Sequence, residues 1–238
     1  MKINDYLKGL TNKRNLIDEV KDVIINGSIQ KNKTLRKSGI TTEEDVFGLL
    51  INHGSISLSS GDIDTFHHFM EALYEIMEAN PSYREKISEH VERFSYLVAR
   101  ERNVYSLSSI IQPLIGNIQS LETMESVNKD LKSFGKLASI CDGEGFDAGV
   151  LEVIQALRAL HEHFEDEGKH VNDVYLKNLV ISIIASVERK GNRELLEQLT
   201  SQTRELLNIT SGMSKDANIN AKYVEKDAES SQSTMVPE

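Results

Sequence analysis

Seven histidines and a single cysteine are the side chains of this 238-residue sequence best suited to chemistry. His67-His68 and His90 fall on stretches with helical spacing, and His161, His163 and His170 lie around the end of a later one. A helix brings metal ligands together at i, i+3 or i, i+4, where side chains share one face. His67 with Glu71 and His161 with Glu165 meet that rule. His161 and His163 do not, because two residues along an ideal helix turn through about 200°. The H-E-x-x-H pattern of helical zinc proteases is absent. Neighbouring His and Glu on a helix usually form a paired, solvated face, so neither metal nor cofactor is expected. A helical metal-dependent enzyme using these His/Glu pairs is the reading that a bound transition metal would support.

Other catalytic arrangements are missing as well. There is no G-x-S-x-G elbow, no phosphate-binding G-x-x-x-x-G-K and no dinucleotide glycine fingerprint. Cys141 follows Leu137, Ala138 and Ile140 with no histidine close in sequence, which suits a packed thiol better than a nucleophile. The expectation is a protein without catalytic residues. Asp142-Gly143-Glu144-Gly145 has the composition of an ion loop, but two glycines there more simply supply the positive φ of a turn between helices. Glu162, Glu165, Asp166 and Glu167 form an acidic stretch that lacks the alternating Asp/Asn and closing Glu of an EF-hand. They are candidates for contact with a basic partner, against the simpler reading of a solvated helix end.

Charge is unevenly placed. The chain carries a net −10, yet residues 1–40 hold nine Lys/Arg against four acids and the remainder is strongly acidic. Lys31, Lys33, Arg36 and Lys37 lie within seven residues, after a segment with Leu7, Leu10, Leu16, Ile17, Val20, Val23 and Ile24. They are the candidate contacts for an anionic membrane or polymer. With no aromatic residue among them to stack on a base, sequence-specific nucleic-acid binding is not expected. The longest apolar run, Leu179 to Val187, is nine residues with two serines, too short to span a bilayer. One cysteine excludes an intrachain disulfide framework, so a reducing, cytoplasmic setting is expected.

The elements that position these residues are helices. Three prolines, few aromatics and apolar residues at 3- and 4-residue spacing throughout predict an all-α chain. A helix over about 3–25 stops near Asn26-Gly27, and a basic linker covers 28–40. Thr41-Thr42-Glu43-Glu44 resembles a capping box and opens a helix to about Asn52; the Ser/Gly-rich segment His53 to Gly61 reads as a loop. Beyond it, helices alternate between two kinds, A at about 62–79, 104–122, 146–166 and 192–209, and B at about 82–101, 125–140 and 172–189.

These helices repeat at a long period. The B helices predict buried Ile87, Val91, Phe94 and Val98, then the same set shifted by 40 as Val127, Leu131, Phe134 and Ala138, then Leu176, Val180, Ile183 and Val187. The A helices predict Phe66, Met70, Leu73 and Met77; Leu107, Ile111, Leu114 and Ile118; and Phe146, Val150, Val153 and Leu157. The last A helix keeps Leu195, Leu199 and Leu206 but places Gln202 in the stripe, as a wetter terminal repeat would. Phe47-Gly48 corresponds to Phe134-Gly135, which marks the helix at 43–52 as a leading B-type helix.

A two-helix unit of 40-odd residues resembles the HEAT and armadillo repeats, and Pro113 inside an A helix is similar to their bent A helix. The resemblance implies a right-handed α-solenoid of about four helix pairs over 41–210; the alternative is a compact antiparallel bundle. It also implies a non-catalytic scaffold recognising a peptide or helical partner along one face. After Ile209 the helical spacing stops, and the small polar and charged residues that follow predict a disordered tail over 211–238. The acidic body favours a basic or amphipathic partner. Docking to an anionic membrane or polymer through residues 1–40 is the second reading.

Overall fold

A computed structural model describes residues 13–27, 35, 39–121 and 123–207. Among them it shows nine α-helices and no strand. They are α1 (Lys13–Asn26), α2 (Glu43–Ser59), α3 (Ile63–Ala79), α4 (Arg84–Glu101, entered through a 3-10 turn at Pro81–Tyr83), α5 (Val104–Ser120), α6 (Met124–Gly143), α7 (Asp147–Asp166), α8 (His170–Lys190) and α9 (Arg193–Thr203). The all-α expectation is met. The anionic-surface candidates Lys31, Lys33, Arg36 and Lys37 and the tail 211–238 lie outside the described residues.

Local chemistry sets the helix ends. Gly27 follows α1 at φ +58°, where a Cβ is penalised. At the start of α2 the Thr42 hydroxyl accepts from the Asp45 amide at 3.1 Å, and the Asp45 carboxylate accepts from the Thr42 amide at 3.1 Å. These bonds hold the Asp45 carboxyl below its usual range. The capping box is therefore real, closed by an aspartate.

The loop expected over His53 to Gly61 is instead helix as far as Ser59, and this corrects the sequence reading. The small residues there serve packing. Ser57 turns its hydroxyl back onto the His53 carbonyl at 2.9 Å, which lets a polar residue sit fully buried. Gly54 lies under the ring of Phe69, so close that a Cβ at 54 would fall 2.3 Å from Phe69 Cε1. The missing side chain at Gly54 thus leaves room on α2 for the Phe69 ring of α3. Gly54→Ala should destabilise the fold by about 1–3 kcal/mol, the usual cost of overpacking, measurable by urea titration. A neutral result would show that the Phe69 ring moves aside freely.

The described residues fall into two compact units, one up to Ala156 and the other from Leu157. In the first, α1, α2 and α5 pack on α3, and α4 packs on both α5 and α6. Helices of like kind are neighbours: A on A in α3 and α5, B on B in α4 and α6. Polar contacts bridge the same spacing. Glu44 meets Lys86 at 2.6 Å, Arg84 meets Asp130 at 2.7 Å, Glu92 meets Lys136 at 3.4 Å and Ser108 donates to Glu152 at 2.8 Å, with sequence separations of 42, 46, 44 and 44. The predicted apolar stripes of α3, α5 and α6 are buried at every position. Val91 of α4 is the exception, only half-buried. At the centre, the rings of Phe66, Phe69 and Phe94 lie 5.4–6.0 Å apart, with Phe94 edge-on to both others.

In the second unit α8 packs on α9. Leu176, Val180, Ile183 and Val187 are buried as predicted, with Leu157, Leu160 and Phe164 of α7 and Leu195, Leu199 and Leu206. Gln202 is half-buried in the stripe it was expected to interrupt. Arg158 of α7 reaches Glu205 at 3.5 Å.

Candidate functional site: a groove between α4 and α6

Where Val91 fails to be covered, the surface opens. A groove of about 250 Å³ runs between α4 and α6, floored by α3 and α5. Its floor is apolar: Tyr74 and Met77 from α3, Ile110 and Leu114 from α5, Ile87 and Val91 from α4, Leu137 and Ile140 from α6. The sequence shows why the helices leave a gap. Ser88 and Ser95 on α4 and Ser133 on α6 face the groove at helical spacing, and their side chains are too short to fill it. Ser95 is further withdrawn by donating to the Val91 carbonyl at 2.8 Å.

The walls carry charge of one dominant sign. Arg84, Lys129, Lys132 and Lys136 line the groove against only Glu92 and Asp130. Asp130 is buried, held by Arg84 at 2.7 Å and by the Asn117 amide at 2.6 Å. Loss of solvent raises its pKa above the usual value, and the Arg84 and Asn117 contacts oppose that shift without cancelling it. The same burial, with the Asp130 charge added, pushes the Tyr74 hydroxyl pKa well up. Lys136 is matched by Glu92 at 3.4 Å, whereas the exposed Lys132 has no ion pair among the described residues. The groove therefore presents an apolar floor under a net positive rim, on a chain of net charge −10. A volume of this size admits a few side chains of a partner rather than a drug-sized ligand.

Sequence reading did not single out this groove. The signal was present in Lys129, Lys132 and Lys136 at helical spacing on α6, but only packing reveals that α4 sets serines opposite them.

His68 bridges Asp18 of α1 at 2.9 Å and Glu71 at 3.3 Å, and His67 lies 3.4 Å from Glu71. His90 packs on the Phe47 ring, where burial, with Arg93 and Lys86 nearby, lowers its pKa. Cys141 is fully buried; desolvation, reinforced by Asp142, pushes its thiol up to about 12. It is a protonated core residue at neutral pH. In the Asp142-Gly143-Glu144-Gly145 turn, Gly143 belongs to α6 and only Gly145 takes a positive φ, at +64°.

Glu162, Glu165, Asp166 and Glu167 are exposed at the end of α7. Glu165 stands apart from the other three because it reaches His161 at 3.5 Å. His161 also meets Asp173 of α8 through its other ring nitrogen, at 2.5 Å, and Lys177 meets the second Asp173 oxygen at 2.8 Å. The i, i+4 rule finds His161 and Glu165, but Asp173 joins them only through the turn between α7 and α8. Comparison of the chain with protein-family models, with curated proteins and with solved structures finds no match.

Proposed function

We propose that this chain is a non-catalytic binding module whose groove between α4 and α6 receives the apolar face of a partner helix with acidic flanks. The observation that carries the reading is an apolar floor beneath a rim with excess lysine. An amphipathic helix presents apolar anchors at i, i+3, i+4 and i+7, which suits an elongated gap between two helices. Its acidic flanks would meet Lys129 and Lys132. The net charge of the chain favours a basic partner elsewhere, at surfaces such as Glu162 and Asp166; at this groove the local sign is opposite.

HEAT/armadillo-like repeats in a cytoplasmic scaffold are the architecture we infer for it. Support comes from A-on-A and B-on-B packing and from polar contacts recurring at separations of 42 to 46 residues. In a repeat stack, each helix pair covers the apolar face of the next and leaves grooves at regular intervals.

The test is fluorescence anisotropy with a labelled 18-residue synthetic helix, leucines at i, i+3, i+4 and i+7 and glutamates on both flanks. A lysine-flanked counterpart is the control. The acidic peptide is expected to bind with a Kd on the order of micromolar, more weakly as salt rises. Lys132→Glu should weaken it about threefold to tenfold, and Ser133→Trp, which fills the groove, should abolish it. Equal binding of both peptides, no binding of either, or indifference to both substitutions would refute the reading.

A further inference from the structure

The junction of α7 and α8 carries a second arrangement, independent of the groove. We propose that His161, Glu165 and Asp173 form a binding site for a divalent transition-metal ion of the zinc class. One atom from each of the three side chains can be chosen so that all lie within 4.8 Å of one another. One imidazole nitrogen with two carboxylate oxygens is a donor set suited to zinc; calcium takes six to eight oxygens and no nitrogen.

The surroundings prepare the three groups unequally. His161 and Asp173 are held, with side chains 12% and 10% exposed. Lys177 takes Asp173 Oδ2 at 2.8 Å and so aims Oδ1 at His161. Orientation of a ligand by an outer partner is a recurring property of metal sites. Glu165 is the movable ligand, 58% exposed and on the solvent side, where an ion enters. In the described arrangement the two carboxylates meet opposite ring nitrogens, Asp173 at Nδ1 and Glu165 at Nε2. An ion takes only one of these nitrogens. Binding therefore requires the exposed Glu165 chain to swing toward Asp173, or the ring to turn. The neighbouring Glu162, Asp166 and Glu167 add negative potential that draws cations to this end of α7. Three protein ligands leave the remaining position to water.

Two carboxylates close to one imidazole without an ion would leave the same contacts as a simple clamp between α7 and α8; metal binding separates the two.

The experiment is calorimetric titration of Zn²⁺ into the untagged full chain, stripped with chelator beforehand. One equivalent is expected to bind, at least tenfold more weakly in His161→Ala and unchanged in His67→Ala. Because Glu165 is exposed, Glu165→Gln keeps the fold and should also weaken binding about tenfold, whatever happens to the stability of His161→Ala. Absence of stoichiometric binding to the parent chain, or a site unaffected by both His161→Ala and Glu165→Gln, overturns the proposal. Neither result bears on the peptide groove, which lies in the other unit.

Discussion

Phe69→Ala is expected to destabilise the unit ending at Ala156 by about 3–5 kcal/mol, the range for deleting a buried aromatic ring and leaving a cavity. Phe69 has no exposed surface, packs its ring 5.4 Å from Phe94 and 6.0 Å from Phe66, and fills the space that Gly54 leaves on α2. Its loss removes apolar burial and two aromatic contacts at the point where α2, α3 and α4 meet. The neighbourhood allows a sharper test. In the Phe69→Ala background, Gly54→Ala should cost far less than in the parent, because the added methyl group enters the cavity instead of striking a ring. Urea titrations of the two single variants and the double variant would show the costs failing to add, with the double variant less destabilised than their sum. Strict additivity would mean that α2 and α3 do not meet through these two residues.

Arg84→Ala is expected to cost about 3–5 kcal/mol near neutral pH, the range for stranding one member of a buried ion pair. Arg84 donates to Asp130 Oδ1 at 2.7 Å, and Asn117 donates to Oδ2 at 2.6 Å. Without the guanidinium, the Asp130 charge remains buried with one amide partner. The cost should depend on pH in a defined direction. Asp130 in the folded chain already titrates above its reference value of 3.8, with desolvation the largest cause. A carboxyl raised by folding binds more protons in the folded state than in the unfolded one, so its stability contribution is fully present below the unfolded value and falls as pH rises through the folded one. Removing Arg84 raises the folded value further. The deficit of Arg84→Ala should therefore be small at pH 4 and grow toward pH 8. Asp130→Asn, combined with Arg84→Ala, should abolish that growth because no charge is left to strand. A deficit independent of pH would mean that Arg84 acts through packing alone.

Several parts of this structure were legible from residue order. Helix positions follow from 3- and 4-residue spacing, and the buried stripes of α3, α5, α6 and α8 match it at every predicted residue. The capping box at Thr42 and the stop at Gly27 were also readable, because capping is decided by groups within three or four residues of each other. The reading failed at His53 to Gly61 for a related reason. Serine and glycine have the same composition in a loop as in a close helix contact, and only the ring of Phe69 on a neighbouring helix decides which it is.

The two candidate sites divide along the same line. His161 and Glu165 are four residues apart, so their shared face was evident from spacing, whereas Asp173 reaches them across a turn. The lysines of α6 were visible as charges, but no local rule places them above an apolar floor drawn from three other helices. Amphipathic spacing determines which face of a helix is buried; it does not determine which helix covers that face, or where the cover falls short. Covering depends on side-chain volumes brought together from positions 40 or more residues apart. At Val91, Ser88 and Ser133 those volumes are too small to close the surface, and tertiary packing turns that shortfall into a groove.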